Sequence, residues 1–155
     1  MTNVVANSGC DRLEGALPAG FSTHTDAKDP VSDLFVFDAQ DGAAKAGCLR
    51  LNGNGTYLCK AQGLVPGEVI YVRLVAKGRA AKPCIGWSQD GRWRWDLGSP
   101  HLTATDAAAD LDGWHTMDAR LVVPDGADAA TLLMEPARQP KPVYPIRFDD
   151  IGIFR

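Results

Sequence analysis

Three of the chain's four tryptophans fall within one eleven-residue stretch, IGWSQDGRWRW, Ile85 to Trp95, together with Arg92 and Arg94. An indole can fill a core. It can also lie flat on a ligand ring while arginine, amide and carboxylate side chains bond polar groups around the ring's edge. The central Asp90-Gly91 divides the set, because a two-residue Asp-Gly turn pairs Gln89 with Arg92, Ser88 with Trp93, Trp87 with Arg94, and Gly86 with Trp95. Trp93 and Trp95 then share a face with Gly86 and Ser88, and large rings beside small residues read as core packing. Trp87 shares the opposite face with Gln89, Arg92, Arg94 and Asp96, a mixture of indole, guanidinium, amide and carboxylate that suits a ligand. The same side of neighbouring strands would add Arg50, Tyr57, Tyr71 and Arg73. Two alternatives stand beside this assignment: Trp87 as a ring capped by Arg94 through cation–π contact, and Trp93 and Trp95 as the ligand-facing pair.

Other chemistry is sparse. None of the nucleophile-elbow, phosphate-loop, dinucleotide or zinc-protease patterns occurs. A glycosidase carboxylate pair is set by spatial separation, so the 19 Asp and Glu residues leave that possibility open. His24, His101 and His115 each stand apart from a second metal ligand, and no EF-hand loop is present. Catalysis is therefore not expected, and no cofactor is required. Cys10, Cys48, Cys59 and Cys84 lack the Cys-x-x-Cys spacing of a zinc ribbon or redox site. They are either small buried thiols or, for Cys48 and Cys59, a cross-strand bridge of an oxidising compartment.

The elements that must position these residues read as short strands. CLRLNGNGTYLCK, Cys48 to Lys60, predicts a hairpin about its Asn-Gly-Asn-Gly loop, with Leu51 opposite Thr56 and Cys48 opposite Cys59. Leu49, Leu51 and Leu58 form its core side, and Arg50 and Tyr57 lie on the other. VIYVRLVAKG predicts a central strand burying Val72, Leu74 and Ala76, and further strands are expected over Trp114 to Val123, Ala129 to Glu135 and Ile146 to Phe154. Thr103 to Gly113 reads as a loop. Recurrent strands without intervening helices predict an all-β, antiparallel two-sheet sandwich.

A chain of 155 residues suffices for one domain spanning 1–155. A net charge of −3 gives no general attraction to phosphate backbones or anionic lipid, so neither nucleic acid nor a membrane is an expected partner. The N-terminus lacks a secretory signal, and Met1 is compatible with a module cut from a longer, secreted multidomain protein.

The two ends add a resemblance. VVANSGCDRLEGALPAGF is similar to the opening of jelly-roll carbohydrate-binding modules of the family four, nine, sixteen and twenty-two type, the galactose-binding-domain-like sandwiches, and IRFDDIGIF resembles their last strand. LVPGEVIYVRLVAKGR and DGWHTMDARLVVPDGADAATLLM resemble the strands between. Cys10, Asp11 and Phe21 stand where the family usually has Phe, Glu and Trp. The resemblance implies a jelly roll that binds polysaccharide or oligosaccharide without chemistry, in an extracellular or periplasmic setting, as the accessory of a catalytic domain on the same chain. It also implies a structural calcium held by Asp11 and Asp149 with main-chain oxygens near Lys45 to Cys48, and either the sheet face or the loops near Asp26 to Asp33 and Gln139 to Tyr144 as the glycan site. The alternatives are a protein-interaction sandwich of a surface protein and a small glycan-active enzyme.

Overall fold

The structure, a computed structural model, describes residues 1–5, 10, 13–14, 17–26, 28 and 30–155. A two-stranded ribbon of β1 (Leu13–Glu14) and β2 (Leu17–Pro18) leads into β3 (Phe21–His24), a helical turn α1 (Val31–Leu34), β4 (Phe35–Asp38), β5 (Cys48–Leu51), β6 (Thr56–Gln62) and β7 (Val69–Lys77). Then come β8 (Cys84–Gln89), β9 (Arg92–Trp93), a 3-10 turn at Trp95–Leu97, β10 (Thr103–Ala104), β11 (Trp114–Val122), β12 (Ala129–Met134) and β13 (Ile146–Phe154). They build the expected all-β sandwich of two antiparallel sheets. One has the order β10-β11-β7-β13-β5-β4, the other β3-β6-β12-β8-β9.

Period-two alternation makes the layers adhere. β7 turns Ile70, Val72, Leu74 and Ala76 inward from the six-stranded sheet, and β6 turns Tyr57, Cys59 and Ala61 inward from the other. Full burial of such an aliphatic side chain stabilises the fold by about 1.5–3 kcal/mol. β13 would lose this phase along its length, but a bulge between Asp149 and Gly152, with Asp150 at φ 46°, restores it. Phe148, Ile151 and Ile153 all reach the core in consequence.

The strands expected from alternation occur at their places, and 103–113 holds a two-residue strand and turns rather than a helix. The Asp90-Gly91 hairpin also forms: Ser88 pairs with Trp93 and Gln89 with Arg92, with φ 49° and 76° at the turn, but β9 ends at Trp93 and the expected Gly86–Trp95 pair does not form, because the chain leaves the sheet in the 3-10 turn at Trp95–Leu97. The Cys48–Lys60 segment is different. β5 pairs with β4 and β13, whereas β6 pairs with β3 and β12, so the Asn-Gly-Asn-Gly loop crosses between sheets and closes no hairpin. Close approach accounts for its glycines: a Cβ on Gly53 would stand 2.5 Å from Leu34 Cδ2, and one on Gly55 2.5 Å from Phe35 Cζ.

With β6 in the second sheet, its inward side is Tyr57 and Cys59, and Leu58 points out. The Cys48–Cys59 bridge fails for the same reason. Cys48, Cys59 and Cys84 are buried thiols outside any disulfide, and Cys10 is buried as well. Among the described residues, no helix is long and apolar enough to cross a membrane.

Candidate functional site

Antiparallel partners point to the same side of their sheet, so the register writes out the outer face of the five-stranded sheet row by row. Ser22, Leu58, Leu133, Cys84 and His101 are successive partners in one row. Lys60, Thr131 and Gly86 form the row beside it. On the other flank His24 pairs with Thr56, whose hydroxyl donates to Glu135 Oε2 at 3.4 Å. These rows floor a groove whose central hollow is about 810 Å³, edged by Lys82, Trp93, Trp95 and Arg138. That is within the range of small-ligand sites.

Trp93 lies over Gly86, where an added Cβ would come 2.6 Å from the indole Cζ3. Trp95 stacks on Trp93 with ring centroids 4.7 Å apart and planes 11° from parallel. The rings remain 43% and 55% exposed, and the stacked pair forms an aromatic wall at the groove's edge. Arg94, between them in sequence, braces this wall. Its Nη1 donates to Gln89 Oε1 at 2.8 Å and the Gly126 carbonyl at 3.2 Å, and Nε and Nη2 donate to Asp96 Oδ1 and Oδ2 at 2.9 and 2.7 Å. This hydrogen-bonded fork holds the Asp96 carboxyl below, and the Arg94 guanidinium above, its ordinary pKa.

The two faces expected of the Asp90-Gly91 hairpin are real, but inside and outside are exchanged. Trp87 is 2% exposed and belongs to the core, because the inner side of β8 faces the six-stranded sheet. It cannot stack on a ligand. Trp93 shares its face with Gly86 and Ser88 as expected, yet that face is open to solvent. Gln89, Arg94 and Asp96 do cluster, but they bond one another and support the aromatic wall.

The remaining expected residues do not join this site. Tyr57 is fully buried, its ring edge-on to Phe35 at 5.0 Å, and its hydroxyl donates to the Arg50 carbonyl at 2.8 Å, a proton shared with the Val36 carbonyl at 3.3 Å. Burial pushes its pKa up. Arg50, Tyr71 and Arg73 belong to the six-stranded sheet, across the sandwich from Trp93. Arg50 pairs there with Asp38 at 3.1 Å. The edge loops contribute in part, since Asp26, Lys141 and Tyr144 line a hollow that continues the groove beyond Glu135. Lys60, Lys82, His101, Glu135 and Arg138 were not expected. Only the pairing of β12 with β6 and β8 brings their rows together, and no local motif marks it.

Cys84, His101 and Glu135 line one groove, which by residue type alone suggests a thiol nucleophile. The electrostatics run the other way. Burial, and then the adjacent Glu135 carboxylate, push the Cys84 thiol up to about 12, and its Sγ donates to Glu135 Oε1 at 3.6 Å. An activated cysteine needs a lowered pKa.

No family model matches the chain, and no curated protein matches it in sequence. Solved structures match its fold. Tailspike protein 4 of bacteriophage CBA120, in its enzymatically active domain, superposes with a TM-score of 0.70 at 12% identity, covering 98% of this chain and 21% of that one. The C-terminal family 22 carbohydrate-binding module of Clostridium thermocellum Xyn10B gives 0.63 at 10% identity, with 95% and 90% covered. TmCBM61, solved in complex with β-1,4-galactotriose, gives 0.59 at 15% identity, with 100% and 99% covered. The chain has the jelly-roll fold of carbohydrate-binding modules. It spans about a fifth of the tailspike domain and about a quarter of a Clostridium thermocellum Xyn10B chain that joins a CBM22-1 module to a GH10 module.

That fold also raises the matter of calcium. Asp11 lies outside the described residues. Asp149 is 2% exposed, and its Oδ2 and Oδ1 each accept one main-chain N–H, from Ala43 and Asp150, both at 2.8 Å. A buried carboxylate with lone pairs to spare is donor chemistry that fits a hard cation. Among the described residues, no three His, Cys, Asp or Glu side chains gather at one point.

Proposed function

We propose that this chain is a non-catalytic carbohydrate-binding module that holds an oligosaccharide or polysaccharide in the groove on the outer face of the five-stranded sheet. The observation that carries this reading is the exposed, parallel Trp93–Trp95 pair beside rows of hydroxyl, amine and carboxylate groups. A sugar ring has a weakly hydrated C–H face that an indole covers, and a rim of hydroxyls that polar side chains bond. Glu135 would accept from sugar hydroxyls, and Lys82 and Arg138 would donate to them. The fold neighbours support the reading: TmCBM61 is solved with β-1,4-galactotriose, another neighbour is a xylan-binding domain, and the chain that joins CBM22-1 to GH10 is solved with xylohexaose.

An accessory role in a longer, secreted protein goes with this function, because in the tailspike and xylanase chains the shared fold is one part of a larger whole. A structural calcium would be held by Asp149 with main-chain oxygens of 45–48; a rise in melting temperature on adding calcium, reversed by EDTA, is its test. A glycan array probed with the folded chain and with Trp93→Ala tests the main proposal. Binding to at least one glycan class that falls about tenfold in the variant is expected, an energy of about 1.4 kcal/mol. Silence across the array would favour the protein-interaction alternative.

A further inference from the structure

The charges along the groove are organised unlike the cluster about Asp38 and Asp41 on the opposite side of the sandwich, a side on which Arg73 and Arg120 form no ion pair among the described residues. In that cluster, Arg50, Lys77 and Arg147 are all spent on Asp38 and Asp41, at 3.1 to 3.5 Å. In the groove, Lys60, Lys82, Arg138 and Lys141 line the walls, and none forms an ion pair among the described residues. Two carboxylates face them, and both have partners. Glu135 accepts from Thr56 and Cys84 on the floor, and Asp26 lies 3.7 Å from His24 at the far end.

Four cations and two carboxylates leave the groove two positive charges in surplus, on a chain whose net charge is −3. A neutral sugar offers no anion to balance that surplus. Unpaired ammonium and guanidinium groups spaced along a groove match carboxylate or sulfate substituents repeated along a polymer.

We infer that the groove selects anionic glycans, chains carrying uronate carboxylates or sulfate esters, over neutral ones. This rests on the carbohydrate reading above and adds the ligand's charge to it. Trp93 and Trp95 supply stacking that any pyranose can use, and the four cations supply the discrimination. Lys60 stands in the row that Trp93 overlies, so one anionic group falls near the aromatic wall; Lys82, Arg138 and Lys141 place others toward the opposite end.

The test is affinity electrophoresis of the full chain in gels holding matched polymer pairs: polygalacturonate against its carboxyl-reduced form, and a sulfated galactan against the same galactan desulfated. The acidic member of at least one pair should retard the chain about tenfold more strongly than its neutral match. That preference should vanish near 1 M NaCl, where the screening length is roughly 3 Å. Which pair responds separates carboxylate from sulfate as the anion. The double variant Lys82→Gln, Arg138→Gln should lose about three- to tenfold of the retardation by acidic polymer, and Arg79→Gln, at an exposed ion pair outside the groove, should lose none. Equal or stronger retardation by the neutral members, abolished by Trp93→Ala, would overturn the charge selectivity and leave the carbohydrate reading standing. No retardation by any member, together with a silent glycan array, would overturn both.

Discussion

Trp87 and Trp93 lie six residues apart on two strands of one hairpin, and the structure gives them opposite fates. Trp87 is enclosed by the sandwich, so Trp87→Ala leaves a cavity where the sheets meet. It should destabilise the fold by about 3–5 kcal/mol, read from urea unfolding. Trp93 is nearly half exposed, so its replacement should cost much less than that. Alternation along β8 and β9 correctly separates the tryptophans into two sides. It cannot say which side is covered, because that depends on where the second sheet sits, and the small residues Gly86 and Ser88 suit a core and a ring lying on a surface equally well. The polar companions of Trp87 misled for a related reason. Arg94, Gln89 and Asp96 satisfy each other, and a mutually bonded cluster has the same composition as a ligand-binding one.

At the level of elements, the two Asn-Gly and Asp-Gly signals make the same comparison with different outcomes. Asp90-Gly91 has the positive φ at both positions that a tight hairpin turn demands, and its register next to the turn was readable from the sequence, though not that the strand would stop at Trp93. Asn-Gly-Asn-Gly carries an equally strong turn signal, but its glycines serve contacts with Leu34 and Phe35, some twenty residues earlier, and nothing within the loop discloses this. Gly55→Ala should therefore destabilise by about 1–3 kcal/mol through crowding against the Phe35 ring, measured by thermal melting. Gly67→Ala, at φ 83° with open space around it, should register only backbone strain, about 1 kcal/mol. Once β6 moves to the other sheet its inward side reverses, which takes Tyr57 from the expected site into the core and brings Leu58 and Lys60 into the groove. The strands themselves were legible because period two is local. Their assignment to sheets was not, because it is fixed by partners distant in sequence.

Across the whole molecule, one face of the sandwich carries the closed charge pairs of Asp38 and Asp41, and the other a groove whose cations form no ion pair among the described residues. On the closed face the Asp38 carboxyl is held below its ordinary value, chiefly by the main-chain N–H of Gln40, with Asp41 N–H and Arg50 assisting against the opposing effect of burial. A lowered folded-state pKa contributes stability that is present above the unfolded value of 3.8 and is lost as pH falls through the folded one. Melting temperature should thus drop on acidification below about pH 4. In Asp38→Asn that drop should be smaller, and an identical pH profile would show that Asp38 contributes nothing to it. The jelly-roll class and its neighbours were legible from the two chain ends and the strand pattern. The groove was not, since Ser22, Leu58, Leu133, Cys84 and His101 meet only through cross-strand register.

The most direct test of the central claim, that the outer face of the five-stranded sheet is the carbohydrate site, compares Trp93→Ala with Tyr71→Ala, which removes an exposed aromatic from the opposite sheet. Both variants would be titrated by calorimetry with a glycan that the unaltered chain binds. The account predicts that Trp93→Ala weakens binding about tenfold or more and that Tyr71→Ala leaves it unchanged. Loss of binding in Tyr71→Ala, with Trp93→Ala unaffected, would contradict it and move the site to the six-stranded face.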